Sequence, residues 1–247
     1  MKIAKDIYLV GSGQIGISSI LDCHIYLVGH GNEISLIDAG CGKNESDVNL
    51  ILKKIEREKI DLNKIKRIFL THGHSDHAGG ASILKDKLNC CIYAGSITRD
   101  IVSKGSDELL GLDFAKNSGF YGDDYVFKTF DVDKIINDND EIVIGTNKIR
   151  AIHTMGHSDD SICYLIKKDN KILIFIGGVV GHGGKFVLLN CHVFNLGNYR
   201  KSIKKLAGLS VDMLFPGYGL FTLENGQSHI DKLVDAFNKL LINDYII

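Results

Sequence analysis

The sequence lacks the features that mark membrane, secreted and nucleic-acid-binding proteins. Its 247 residues contain no run of about 18 apolar residues, so no transmembrane helix and no membrane partner are predicted. The 29 basic and 30 acidic side chains nearly cancel, which gives no electrostatic footprint for nucleic acid. The stretch Met1–Ile7 has too short an apolar core, with charges inside it, for a signal peptide.

Proline is scarce, and the cysteines show no pairing pattern. The cysteines form no Cys-x-x-Cys pair and no disulfide framework, so reduced thiols and a cytoplasmic location are expected. One proline against 27 glycines indicates loops that bend with glycine. The composition, 45% hydrophobic and 24% charged, is that of a globular chain, and we expect one domain over residues 1–247. The six cysteines are Cys23, Cys41, Cys90, Cys91, Cys163 and Cys191.

Apolar patterns predict blocks of strands and helices. Three strand-type runs joined by glycine-rich turns predict an antiparallel meander at Ile7–Val10, Ser19–Val28 and Glu33–Ala39. Helical faces are predicted at Glu45–Lys59, Asp76–Leu88, Asn195–Leu206 and Ile230–Leu241. Further strands are predicted at Phe127–Phe130, Glu141–Ile144, Lys148–Ile152, Ile162–Ile166, Lys171–Ile176 and Val211–Phe215. This block pattern favours an α/β (α+β) class, with two sheets face to face and helices outside in an αββα sandwich.

A cluster of metal-ligand side chains follows a predicted strand. Arg67–Leu70 is a short apolar run that indicates a buried strand. Four residues with metal-binding side chains then fall within six positions: His72, His74, Asp76 and His77. Imidazole nitrogen and carboxylate oxygen are the ligands that borderline divalent metals such as zinc prefer. The stretch therefore predicts a metal site just past the end of this strand.

A second histidine motif follows another predicted strand. Lys148–Ile152 leads into His153-Thr-Met-Gly-His157, and a strand follows it. A histidine in a glycine-containing loop directly after a strand points outward from the end of the sheet. The loop is therefore a second candidate source of metal ligands.

Both stretches resemble the metallo-β-lactamase superfamily, through its signature His-x-His-x-Asp-His and its motif His-Thr-x-Gly-His. The resemblance implies that His72, His74 and His157 hold one zinc ion and leave a fourth position open for water. It implies that Asp76 and His77 belong to a second metal position. It also implies the αββα fold of two mixed sheets flanked by helices.

The same resemblance suggests roles for two further residues. It gives His153 a structural role beside His157. It makes Asp38, in the turn Asp38-Ala-Gly40, a group that supports the metal site, with a simple turn aspartate as the alternative.

The C-terminal half departs from the family pattern at two ligand positions. Where the family has the aspartate that bridges two metals, this chain has Gly178, and where it has a second-metal histidine, this chain has Tyr218. A second metal would keep only Asp76, His77 and solvent, so we expect one metal, with the second weak or absent. His182 and Tyr218 are candidates to substitute for the lost ligands, and an ordinary loop histidine is the alternative for His182.

The resemblance implies a zinc-dependent hydrolase that uses a metal-bound water on an ester, lactone, thioester or similar small molecule. Asp76 would orient that water or carry its proton, and Tyr218 would donate a hydrogen bond to the developing oxyanion. Iron or manganese in place of zinc, and a homo-oligomeric state, are left open. The stretch 117–125, with three aromatic residues, is either a substrate-facing insertion or an ordinary surface loop.

Two other functions compete with hydrolysis. One is a degenerate, non-catalytic member of the superfamily that serves as a binding or regulatory protein, which the two lost ligands support. The other is an iron-dependent oxidoreductase, whose facial triad needs the carboxylate that Gly178 removes. An exchangeable metal with an open coordination position would distinguish the hydrolase from the non-catalytic protein.

Overall fold

The computed structural model describes residues 1–189, 192–240 and 245–246, and it divides into two compact units, Met1–Ile136 and Asn137–Ile247. Each unit contains one mixed β-sheet together with helices, so the predicted class of two mixed sheets with flanking helices is confirmed. The organisation as one domain stays a prediction. None of the five described cysteines forms a disulfide, and Cys191 lies outside the described residues.

The first unit contains a seven-stranded sheet. Its strands are β1 (Lys2–Ala4), β2 (Ile7–Gly11), β3 (Ile25–His30), β4 (Glu33–Ile37), β5 (Ile65–Phe69), β6 (Cys91–Ala94) and β7 (Lys134–Ile135). They pair in chain order, antiparallel from β1 to β4 and parallel from β4 to β7, which confirms the predicted meander. The second predicted strand, Ser19–Val28, begins later than predicted, at Ile25, because the Ser18 hydroxyl donates to the Asp22 carboxylate at 2.5 Å and closes a loop before it.

The first unit also contains α-helices. They are α1 (Glu45–Arg57), α2 (Ser75–Ala78), α3 (Ala81–Leu88), α4 (Ser96–Lys104), α5 (Asp107–Leu110) and α6 (Leu112–Asn117). Helix α1 begins where the Asn44 side chain accepts a hydrogen bond from the Asp47 amide at 3.1 Å. One helix was predicted over Asp76–Leu88, but α2 and α3 are separate. A Cβ atom on Gly80 would lie 2.2 Å from the Ala39 carbonyl oxygen, so close packing shapes this junction.

The second unit contains a five-stranded sheet and a small two-stranded one. Its strands are β8 (Glu141–Ile144), β9 (Asn147–His153), β10 (Ile162–Lys168), β11 (Lys171–Gly177), β12 (Phe186–Val187), β13 (Met213–Pro216) and β14 (Tyr245–Ile246). The larger sheet has the order β13-β11-β10-β9-β8, with only β11 and β13 parallel, and β12 pairs with β14. The predicted strand at Phe127–Phe130, in the first unit, is absent, and those residues are irregular.

Helices α7 (Leu196–Ser202) and α8 (Gly226–Asn238) cover the apolar core of the second unit, to which Tyr199, Leu233 and Phe237 contribute. Strand pairing places the carboxyl ends of β9, β11 and β13 at one edge of this sheet. Three loops therefore begin there, at residues 154, 178 and 217. Among the described residues, no helix is both long enough and apolar enough to cross a membrane.

Candidate metal site

The residues of the first motif form a tight turn at the carboxyl end of β5. We call residues 71–78 the first histidine turn. Backbone hydrogen bonds tie it to its neighbours, since the Ala39 amide donates to the His77 carbonyl at 2.7 Å and the Cys23 amide donates to the Asp76 carbonyl at 3.3 Å. Every residue of the turn is buried except His74, which is half-buried. The turn is thus a fixed part of the fold.

Asp38 is the acceptor at the centre of this turn. It is buried, and its backbone φ of +65° lies in the left-handed region that aspartate and asparagine tolerate better than most residues. Its carboxylate accepts the Thr71 amide at 2.8 Å, the Thr71 hydroxyl at 2.9 Å and His77 Nδ1 at 2.7 Å. The carboxylate therefore connects the end of β4 to the first histidine turn, which is more than a simple turn residue does.

His72 and His74 point their ring nitrogens at one place. His72 Nε2 lies 3.0 Å from His74 Nδ1, and the ring centroids are 4.5 Å apart. His72 Nδ1 lies 2.9 Å from the Thr71 hydroxyl oxygen, whose own proton is directed at Asp38. This pattern assigns the ring proton of His72 to Nδ1 and leaves a lone pair on Nε2. The two imidazoles thus present a pair of nitrogen ligands of the kind that divalent metals bind.

Asp76 and His77 lie side by side in the same turn. His77 donates from Nδ1 to Asp38, so its Nε2 carries a lone pair, and that atom lies 3.7 Å from Asp76 Oδ2. The His72 and His77 ring centroids are 4.1 Å apart. The structure therefore brings together all four residues that the first motif predicted within this unit.

Cys23 is a neighbour of the site that the sequence pattern did not indicate. The Cys23 thiol, the Asp38 carboxylate and the His77 imidazole place ligand atoms within 4.8 Å of one another, all buried. The Asp38 oxygens already accept three hydrogen bonds and His77 Nδ1 is one of the donors, so this group orients His77 and is not a metal cage. Burial raises the pKa of the Cys23 thiol well above its ordinary value, which keeps it protonated.

His157, the ligand expected from the second motif, is a buried residue of the second unit. It follows Gly156, which has a φ of +141° that glycine adopts more readily than other residues. A Cβ atom built on Gly156 would lie 2.3 Å from the Tyr199 Cα atom. The Tyr199 hydroxyl donates to the carbonyl of Val179, beside Gly178. Close packing on Tyr199 therefore fixes the loop that carries His157.

Gly178 lies directly against the His157 ring. A Cβ atom built on Gly178 would be 2.4 Å from His157 Nε2, a distance that Cβ contacts do not show. Tyr218 is half-buried at the same edge of the sheet, where the Gly217 amide donates to the Gly177 carbonyl at 2.8 Å. In the second unit, the glycine at position 178 thus gives the His157 ring the room that it occupies.

His182 is placed as an exposed loop histidine. Its ring centroid lies 4.6 Å from that of His229, whose Nδ1 accepts the Gly183 amide at 2.9 Å. Burial lowers the pKa of His229. These contacts explain the position of His182 without a metal.

The donor set of the first histidine turn fits a divalent metal. Two imidazole nitrogens converge at 3.0 Å, and hydrogen bonds to Thr71 hold one of them in the ligating tautomer. A carboxylate and a third imidazole lie beside them. The chemistry that such a set supports is binding of one metal together with proton transfer by the neighbouring carboxylate.

Comparison with protein families matches residues 20–218 to the model of the metallo-beta-lactamase superfamily. Among curated proteins, the chain is 29% identical over 221 residues to the lactamase-like protein aptB of Emericella nidulans, covering 88% of this chain and 57% of the relative. It is 26% identical over 224 residues to an atrochrysone carboxyl ACP thioesterase of Aspergillus fumigatus, covering 90% of this chain and 58% of the relative. The chain thus spans little more than half the length of these relatives.

Among solved structures, the fold is similar to a metallo-beta-lactamase from Cronobacter sakazakii, a mutant of its HARLDQ motif. The TM-score is 0.74 at 22% identity, over 97% of this chain and 95% of that one. At this level of identity, the similarity concerns the fold.

Proposed function

This chain belongs to the metallo-β-lactamase superfamily, and we propose that it is a metal-dependent hydrolase acting on an ester, thioester, lactone or similar acyl compound. Among the relatives named above, one is named a thioesterase and one a lactamase-like protein, which supports an acyl hydrolase. The observation that supports the proposal best is the convergence of His72 Nε2 and His74 Nδ1 at 3.0 Å. The thioester class is favoured because one relative is named a thioesterase.

The proposed metal is a single divalent ion held by His72, His74 and His157, with zinc as the first choice and iron or manganese as alternatives. The superfamily binds divalent metals, which supports this part of the proposal. A metal bound in this way polarises an acyl oxygen and lowers the pKa of water towards neutrality. Asp76 and His77 alone would hold a second ion weakly.

The chain's own residues would carry the proton transfers. Asp76 would orient the attacking water and accept its proton, and the neighbouring His77, held by Asp38, would keep that carboxylate in place. Tyr218 would donate a hydrogen bond to the acyl oxygen as negative charge develops on it. A small acyl compound as substrate and a cytoplasmic location belong to the same proposal.

The second candidate is a non-catalytic binding or regulatory protein of the same superfamily. Gly178 and Tyr218 favour it, because the superfamily pattern has second-metal ligands at these two positions. An iron-dependent oxidoreductase is disfavoured by the same glycine, which removes a carboxylate ligand. The two remaining candidates differ in whether the metal site turns over an acyl substrate.

A hydrolysis screen with a double histidine variant separates these candidates. Wild type, loaded with zinc, is assayed on p-nitrophenyl esters, N-acetylcysteamine thioesters and a lactone, beside His72→Ala/His74→Ala. We expect hydrolysis by wild type and its loss, with loss of bound metal, in the variant, because both converging nitrogens are removed.

His182→Ala is the matched control, since it removes an exposed imidazole that packs on His229. It should keep both metal and activity. Metal-loaded wild type that hydrolyses none of the substrates, or activity that survives the double variant, would overturn the hydrolase proposal.

A further inference from the structure

A short aromatic segment lies next to the first histidine turn. Residues 118–126, which we call the aromatic segment, follow α6 without regular structure apart from turns and a bend. The Tyr121 ring lies 5.0 Å from Phe120 and 4.5 Å from Tyr125, measured between centroids. Tyr121 is only 4% exposed, whereas Phe120 is 55% exposed. The segment therefore places the buried phenol of Tyr121 next to the exposed ring of Phe120.

Three contacts fix the aromatic segment close to the first histidine turn. The Tyr125 hydroxyl donates to the Cys41 carbonyl at 2.9 Å, and Lys43 forms an ion pair with Asp124 at 2.7 Å. A Cβ atom on Gly79 would lie 2.6 Å from the Tyr125 hydroxyl. Gly79 directly follows α2, the helix that carries Asp76, so the segment packs against that helix.

The Tyr121 hydroxyl differs from that of Tyr125 in having no hydrogen-bond partner among the described residues. A buried hydroxyl without a partner is destabilising, and a ligand that accepts its hydrogen bond would remove that cost. Burial raises the pKa of Tyr121 well above its ordinary value, and Asp76 is the first of the charged groups that add to this effect. The phenol thus stays protonated and can donate a hydrogen bond.

We propose that Tyr121 is a substrate-binding residue, whose hydroxyl donates a hydrogen bond to an oxygen of the acyl substrate beside Asp76. The exposed ring of Phe120 would pack against the apolar chain of the same acyl group and select for longer chains. This inference rests on the proposed hydrolase function and adds to it the residues that recognise the acyl group. An acyl compound satisfies both features at once, because it joins a hydrogen-bond acceptor to an apolar chain.

The chain provides a matched pair of variants to test this role. Tyr121→Phe removes a hydroxyl that makes no hydrogen bond within the described protein, so the melting temperature should stay at or above that of wild type. Its kcat/KM on acetyl and octanoyl thioesters of N-acetylcysteamine should fall about 10- to 100-fold, as expected for the loss of one hydrogen bond in a buried site. Tyr125→Phe removes the bond to Cys41, so it should lower the melting temperature while kcat/KM stays near the wild-type value.

Separate kcat and KM values show where the Tyr121 hydrogen bond acts. A fall in kcat alone would place it at the developing oxyanion, and a rise in KM alone at the bound substrate. Both results support the proposal. Phe120→Ala should raise KM about ten-fold for the octanoyl thioester but little for the acetyl one, because several methylene groups lose their contact.

The outcomes distinguish failure of this inference from failure of the hydrolase proposal. Unchanged kcat/KM in Tyr121→Phe, with wild type active, would overturn the role of Tyr121 alone. If that variant has a lower melting temperature, less bound metal and less activity together, the role is also overturned, since the residue would then be structural. Metal-loaded wild type that is inactive on every thioester and ester would overturn both proposals.

Discussion

The first histidine turn and the loop that carries His157 are held in place by different interactions. In the first unit, hydrogen bonds to Asp38 and Thr71 orient His72 and His77. In the second unit, His157 is held by close packing, with Gly178 leaving no room for a Cβ atom against its ring. Metal binding by the first histidine turn should therefore respond to a change of charge at constant shape. The position of His157 should respond to a single added methyl group.

Asp38→Asn tests the hydrogen-bonded turn and should have the largest effect. Asparagine keeps the shape and tolerates the left-handed backbone, but it has one acceptor oxygen where Asp38 accepts from both Thr71 and His77. We expect metal affinity to fall about 10- to 100-fold, the usual result of losing a group that orients a ligating histidine. Competition against a zinc chelator measures it.

Asp61→Asn is the control for Asp38→Asn. Asp61 is exposed and accepts only the Asn63 amide and side chain in a short 3-10 turn. Its metal affinity should equal that of wild type. Equal affinity in Asp38→Asn would show that the carboxylate does not orient the ligands.

Gly178→Ala tests the close-packed turn and should have the second-largest effect. The new methyl group would lie 2.4 Å from His157 Nε2, so the ring must move away. If His157 is a ligand as proposed, metal affinity should fall about ten-fold. Losses of about 10- to 100-fold are usual when a group that positions a metal ligand is changed. Gly197→Ala is the control, since its added Cβ meets only Asn195 Oδ1, at 3.3 Å.

The same contact changes the interpretation of the residue at position 178. A bridging aspartate placed there would first have to displace the His157 ring from its position in this chain. Unchanged metal affinity in Gly178→Ala would mean either that the ring moves without cost or that His157 is no ligand. A structure of the variant would separate these two cases.

The smallest expected effect is the contribution of Asp22 to the pH dependence of the unfolding free energy. Burial raises its pKa from 3.8 to about 6, while it accepts the Cys41 amide at 2.8 Å and the Ser18 hydroxyl. The folded state then binds the proton more tightly than the unfolded state. Its stabilising contribution is full below the unfolded pKa and is lost as pH rises through about 6.

Asp22→Asn removes this titration. Between about pH 5 and about pH 7.5, the unfolding free energy of wild type should fall by about 1 kcal/mol relative to the variant. Urea denaturation of both proteins at the two pH values measures the difference. A constant difference across this range would contradict a raised pKa for Asp22.

Local sequence patterns predicted the elements of this fold better than their junctions. The His-x-His-x-Asp-His stretch predicted a metal-type cluster, and the structure brings its four side chains together. The break between α2 and α3 depends on Gly80 packing against the Ala39 carbonyl, a contact between distant residues that no local pattern contains. For the same reason the spacing left the role of Asp38 open.

For two residues near the site, no individual role is predicted from the sequence. Cys23 and Tyr121 lie outside the histidine motifs, and only folding brings Cys23 near Asp38 and Tyr121 against Tyr125. From the sequence, the segment that contains Tyr121 is either a substrate-facing insertion or an ordinary surface loop. The hydrogen bond from Tyr125 to Cys41 and the close approach of Gly79 to the Tyr125 hydroxyl show that the segment packs beside the first histidine turn.

The most direct test of the account is the metal content of the protein. Elemental analysis is made on protein purified without added metal, then after zinc, iron or manganese supplementation and dialysis. We predict close to one tightly held divalent metal per chain, with zinc preferred, and none in His72→Ala/His74→Ala. No retained metal under any condition would contradict the one-metal hydrolase, and two tightly held metals per chain would contradict the loss of the second site at Gly178 and Tyr218.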